Sequence, residues 1–224
     1  MASMTTTQPV FDTAETDRLL STTRAVRKRL DLDRPVPREV ILDCLRLAVQ
    51  APTGSNAQKW RWLIVTDAAK RAELARIYND SGRAYLQSAA GQDLDAQTRR
   101  VYESALYLCE ILDQVPVHVI PCVEGRVDDR PSPRAASFFA SVIPAAWSFM
   151  LALRSRGLGS AWTTLHLFQE KEAAEVLGIP YNEVTQVALL PVGYTRGTDF
   201  KAAERPPVEG ITYWDKWGQT DQPS

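Results

Sequence analysis

"FFASVIPAAWSFMLAL", residues 138–153, is the longest apolar run in the chain, and its reading decides the fold. At 16 residues, interrupted by Ser141, Pro144 and Ser148, it falls short of the ~20 that a helix needs to cross a bilayer. A helix that is apolar nearly all round belongs instead in a core or between subunits. The pattern predicts one helix over residues 135–156, kinked at Pro144 and capped by Gly157. "LGSAWTTL", residues 158–165, then reads as a short strand or extended turn.

The rest of the chain supports a globular reading. Of 224 residues, 45% are apolar and 24% charged, with a net charge of −1, which gives no field for nucleic acid or an anionic membrane. The start, "MASMTTTQPVFDTAE", is polar and unlike a secretory leader. Three scattered cysteines, Cys44, Cys109 and Cys122, suit a reducing, cytoplasmic setting rather than a disulfide framework. With two histidines, His118 and His166, a metal centre lacks natural ligands.

Moving outward, helices are predicted at residues 13–22, from Pro37 to about 50, at 69–78, at 96–114 and at 168–178, the last capped by Gly178. Strands are predicted at 60–67, 115–124 and 183–194. Residues 80–95, with Gly82 and Gly91, read as irregular or weakly helical, and 125–134 as a polar connection able to act as a lid. Residues 1–12 and 218–224 read as flexible tails around one domain at 13–217. The tail from Thr195 is long, and it suits a second surface, such as another subunit. Strands occurring singly between helices imply an α/β or α+β sheet layered with helices.

Two segments carry more polar chemistry than their structural roles require. "APTGSNAQKW", residues 51–60, packs Pro, Thr, Gly, Ser, Asn and Gln into one helix-to-strand junction, where a turn needs two or three such residues. It is either a well-bonded turn or a loop that holds a ligand. In "RAVR", Arg24 and Arg27 share a side if the segment is turned, and guanidinium groups grip phosphate oxygens in pairs. The alternative is a solvated basic helix end. Two standard phosphate devices are absent. "GSNAQK" lacks the second glycine of a P-loop, and "GLGSAW" follows a helix and ends in Trp, unlike the dinucleotide fingerprint.

"TTRAVRKRLDLDRPVP", "APTGSNAQKW", "IPAAWSFMLALRSRGLGSAW" and "VGYTRG…AERPPVEG", taken in order, resemble the FMN-dependent nitroreductase family over roughly Thr16 to Trp217. The resemblance implies an α+β fold, a central, mostly antiparallel sheet flanked by helices, and an intertwined homodimer. The apolar helix would then be dimer core, and the tail after Gly193 would wrap the partner. It implies FMN held at Arg24, Ala25 and Arg27, with Arg205 as a second phosphate clamp. The loop residues Pro52, Thr53, Gly54, Ser55, Asn56 and Gln58 would reach the flavin of the facing subunit. Thr163 and Thr164 would lie beside the isoalloxazine, with backbone N–H groups toward N5 or O4.

The activity implied is hydride transfer from NADH or NADPH to an electrophilic acceptor (nitroaromatic, quinone or activated alkene) by ping-pong kinetics. A dehalogenase-like branch and a flavin-storage role are alternatives. No side-chain nucleophile or acid is required. His166 reads as a proton donor or as a surface or core histidine, and His118 as a strand histidine satisfied by a neighbour. Trp147, Trp162 and Trp214 read as packing or stacking rings.

Overall fold

The computed structural model describes residues 11–127 and 132–220. Most of the two expected tails, and residues 128–131 of the expected lid, lie outside the described residues. Thr23–Asp199 forms one compact unit. A second unit takes in α1 (Thr13–Thr22) and the segment from Phe200 onward, where a short 3-10 turn spans Val208–Ile211.

The first unit is built on one sheet. Its strands are β1 (Trp60–Val65), β2 (Val117–Glu124), β3 (Leu158–Ser160), β4 (Val184–Gln186) and β5 (Leu190–Tyr194). The order is β1-β2-β5-β3, with β4 also on β2, and every strand pair is antiparallel. β2 is buried at seven of its eight positions, so its two faces pack against different helices.

Strand periodicity divides those faces. Val117 and Val119 join Leu190, Val192 and Leu158 in a core with Ile41, Cys44 and Ala48 of α2 (Arg38–Ala48). Phe149, Met150, Ala152 and Leu153 of α6 (Ile143–Ser155) complete that core. His118 points the other way, and its Nε2–H donates to the Leu112 carbonyl at 2.7 Å. Leu112 ends the hairpin of α3 (Ala68–Ala90) and α4 (Ala96–Ile111), and α7 (Glu170–Leu177) packs on α3. Gly178, at φ 70°, closes α7 with the left-handed turn expected of it.

Three local expectations are corrected. First, α3 does not stop at residue 78 but runs 23 residues to Ala90. Gly82 is not a breaker there. A Cβ at that position would lie 2.3 Å from Leu165 Cδ1, so the glycine admits a neighbouring turn against the helix. Second, the apolar helix is broken, not kinked. α5 (Ser132–Ala140) ends at a turn, and α6 restarts with Pro144 in its first turn, where a missing N–H costs nothing. The 24-residue span Ser132–Ser155 is apolar enough for a membrane by composition, yet its two helices of 9 and 13 residues are each too short to cross one.

Third, residues 183–194 form two strands separated by a bulge. Val119 pairs with Leu190 and Cys122 with Gln186, so Ile120 and Pro121 oppose three residues, Val187, Ala188 and Leu189. Pro121 has no N–H to offer its neighbour. Only its carbonyl is used, accepting from Val187 N at 2.9 Å. Proline inside a sheet is confined to places where the ladder is interrupted in this way.

His118 and His166 are both fully buried, and neither ring nitrogen of His166 has a hydrogen-bond partner among the described residues. Burial holds His118 down at about 4 and His166 at about 3. The unfolded chain's histidines titrate near about 6.5. Above that pH neither state binds the protons. Below it the unfolded chain binds about two that the folded chain refuses, so stability falls as the pH drops toward 4. Urea unfolding between about pH 7.5 and about pH 5 should show this loss. His166→Leu should reduce the slope by roughly half, and parallel curves for the two proteins would contradict the assignment.

Candidate functional site

The candidate residues of the first unit form two clusters. The first lies along β3. Ala25 makes a parallel bridge to Ser160, and Val26 N–H donates to the Ser160 carbonyl at 2.8 Å. Val26 itself is buried, and a Cβ at Gly159 would come within 2.8 Å of it. Glycine at 159 therefore lets this segment dock closely on the strand. With Val26 directed inward, Arg24 and Arg27 flank it.

Arg27 reaches toward the α3–α4 hairpin. Its nearest partner is the Ser104 hydroxyl, 3.4 Å from Nη1, which is a long contact. Its Nε is buried without a partner, and among the described residues no carboxylate pairs with it. Burial lowers its pKa. A cation removed from water without a counter-charge is costly, and such a group is normally paired when the site is complete.

Thr163 belongs to the same cluster. It bridges Leu189 through the bulge: its N–H donates to Leu189 O at 3.2 Å, its Oγ1 donates to the same oxygen at 2.7 Å, and Leu189 N–H returns to Thr163 O at 2.9 Å. The Thr163 amide is thus committed to the sheet rather than to a ligand, contrary to the sequence expectation. The side chain of Tyr78, on α3, lies beside the Thr163 side chain. Thr164 follows as an exposed residue at the start of a 3-10 turn, Leu165–Gln169.

The second cluster is the loop at 52–58, before β1. It is exposed, and its backbone is strained: Ser55, Asn56 and Gln58 have φ of 54°, 53° and 49°. Left-handed conformations cost a non-glycine residue roughly 1–2 kcal/mol each. The strain is held by a local network. Gly54 N–H donates to Ser141 Oγ at 3.0 Å, Gln58 N–H to Thr53 Oγ1 at 3.2 Å, and Gln58 Nε2 to Asn56 Oδ1 at 2.9 Å. Strained residues held by their surroundings concentrate at ligand-binding sites.

The chain does not bring these clusters together. The loop enters β1 at Trp60, which pairs with Val123, while Ser160 pairs with Val192, which pairs with Val117. Three strand spacings of ~4.8 Å separate β1 from β3, and the two ends of β2 are about 20 Å apart. Arg205 lies in the other unit. It is exposed, and its Nη1 donates to Glu204 O at 3.3 Å.

Sequence reasoning missed two contributors. Tyr78 and Ser104 both sit on the helical hairpin against the Arg27–Thr163 cluster. Nothing in their local sequence marks them, because their role comes from the packing of α3 and α4 on the sheet.

The sequence model of the nitroreductase family matches residues 20–194. The iodotyrosine deiodinase of Thermotoga neapolitana is 27% identical over 175 residues, covering 78% of this chain and 86% of that protein. The 5,6-dimethylbenzimidazole synthase of Rhodospirillum rubrum is 30% identical over 200 residues, covering 85% and 88%. Among solved structures, a BluB-like flavoprotein from Clostridium difficile superposes with a TM-score of 0.65 at 19% identity, over 90% of this chain and 99% of that one. An iodotyrosine deiodinase bound to FMN and 3-iodo-L-tyrosine does so with the same TM-score and coverage at 23% identity. The family match spans most of the chain, and the antiparallel sheet between helical layers is the fold these structures share: the chain belongs to the nitroreductase family.

Proposed function

We propose that the chain is an FMN-dependent oxidoreductase that works as a homodimer. The observation that carries this reading is the partly buried guanidinium of Arg27, whose enclosed Nε has no partner and which faces no carboxylate among the described residues. An acceptor-rich, anionic cofactor fits that deficit. Bound FMN would supply hydride acceptance from NADH or NADPH and return of the hydride to an electrophilic acceptor. Donor and acceptor would use one open face in turn, giving ping-pong kinetics.

The residues have distinct tasks. Arg24 holds the phosphate, which needs charge-assisted bonds once it leaves water. Arg27 keeps a positive charge in a poorly hydrated place, where it stabilises negative charge most strongly. Tyr78 lies against Thr163, and Thr163 sets the turn that presents Thr164. Asn56 and Gln58 offer amide groups that both donate and accept.

The separation of the two clusters supports the dimer. One mononucleotide touches both Arg27 and the loop at 52–58 only if they come from different copies. α5 and the start of α6 carry the surface for this. No residue of α5 is buried, and Ile143 and Trp147 are exposed. The free thiols of Cys44, Cys109 and Cys122 suit a reducing compartment such as the cytoplasm. Reductive dehalogenation is the second reading, favoured by the iodotyrosine deiodinase relatives. Product analysis with 3-iodotyrosine beside a nitroaromatic separates the two.

The purified protein should be yellow, with an oxidised-flavin spectrum that bleaches on anaerobic mixing with NADH or NADPH. A spectrum unchanged by both donors would end the reductase reading. Arg27→Met should reduce FMN retention at least about tenfold while raising the melting temperature of the cofactor-free protein, because it removes an unpaired buried charge. A variant that keeps its flavin would remove the central support. Sedimentation should give a particle of twice the chain mass, and a monomer that retains FMN would refute the two-copy site.

A further inference from the structure

A pocket of about 310 Å³ opens between the loop at 52–58 and α5. Its apolar wall is Phe138, Val123 and Val127. Phe138 is pressed onto Gly125, where a Cβ would meet its ring at 3.3 Å. The lining also includes Ser55, Lys59 and Arg134. The pocket is braced, because Gly54 N–H donates to Ser141 Oγ and that hydroxyl donates to the Ser137 carbonyl at 2.9 Å.

Among the described residues its charge is one-sided. The chain carries 27 acidic and 26 basic residues, and Arg46, Arg61, Arg76, Arg83, Arg126 and Arg196 each face a carboxylate. Among the described residues neither Lys59 nor Arg134 has such a partner, and no acidic residue lines the pocket. The loop adds one more donor. The amides of Gly54, Asn56, Ala57 and Gln58 are each used internally, while the Ser55 N–H and hydroxyl have no acceptor among the described residues. Ser55 adopts its left-handed φ of 54° within this arrangement.

We propose that this pocket receives the anionic group of the electron acceptor, and that the acceptors are therefore aromatic carboxylates or phenolates. The ring lies against Phe138, Val123 and Val127, and the oxyanion meets Arg134, Lys59 and the Ser55 N–H. The assignment rests on the reading that the loop at 52–58 borders the flavin, and it deepens that reading by naming the acceptor's charge.

The test is equilibrium dialysis of FMN-loaded protein against 4-nitrobenzoate and its uncharged methyl ester. The carboxylate should bind about tenfold more tightly than the ester, as a charge-assisted contact requires. Arg134→Ala should erase most of that preference, and Arg134→Glu should shift it toward the cation 4-nitrobenzylamine. Arg134 is exposed, so both variants keep the fold. In turnover, Arg134→Ala should raise KM for 4-nitrobenzoate and leave KM for NADH unchanged. Equal affinity for carboxylate and ester overturns the proposal, as does a rise in KM for NADH, which would assign the pocket to the donor's phosphates. A preparation that takes up no FMN refutes the preceding reading instead, while dialysis against the bare protein still reports the pocket's charge preference.

Discussion

Pro121 sits in the middle of a central strand and brings no N–H to the ladder. β2 tolerates this because the opposing chain bulges, three residues against two, between β4 and β5. The bulge turns Leu189 away from β2, and its backbone pairs with Thr163. Thr163 in turn lies against Tyr78 of the helical layer. A single missing donor thus propagates, through an interrupted ladder, to Thr163 and the turn that begins at Thr164. The site is specified from inside the sheet, with the exposed loops added to it.

The same strand keeps the two clusters apart within one chain. β2 is covered on both faces, so the sheet grows sideways from it, with β1 on one side and β5 and β3 on the other. The segment at 24–27 docks on the far edge by inserting Val26 over Gly159. The polar loop precedes the strand at the near edge, at the opposite end of β2. Antiparallel pairing and strand spacing set that distance, and no side-chain choice in either cluster could close it.

Much of this was legible in the sequence. Pro37 marked the start of α2, and Gly178 marked the end of α7. The errors share one cause. Gly82, Pro144 and the run at 183–194 were read for their local backbone preferences, and in each case a packing partner changed the meaning. Leu165 needs the space at Gly82, the α5–α6 break gives Pro144 a helix start, and Pro121, over sixty residues earlier in the chain, breaks the strand at 187–189. Arg24, Arg27 and the loop at 52–58 were found because their chemistry exceeded the needs of a turn. Tyr78 and Ser104 carried no such surplus and became visible only when the hairpin was laid on the sheet.

The chain's treatment of charge argues that its unpaired groups are kept for use. Arg126 and Glu170 show what it does with an ion pair that serves structure: both are largely buried, two oxygens meet two nitrogens at 2.9 and 3.0 Å, and Glu170 also accepts the Gln186 amide. That arrangement satisfies the desolvated groups and leaves little to gain from a ligand. Arg27 is partly buried, with its Nε enclosed and unpartnered, and Ser55 holds a strained backbone with its amide unspent. Each costs folding stability in the isolated chain. Sequences near a stability threshold shed costs that bring nothing in return, and the recurrent exception is a site whose binding partner repays them. Both costs fall in the two clusters that a second copy of the chain would bring together.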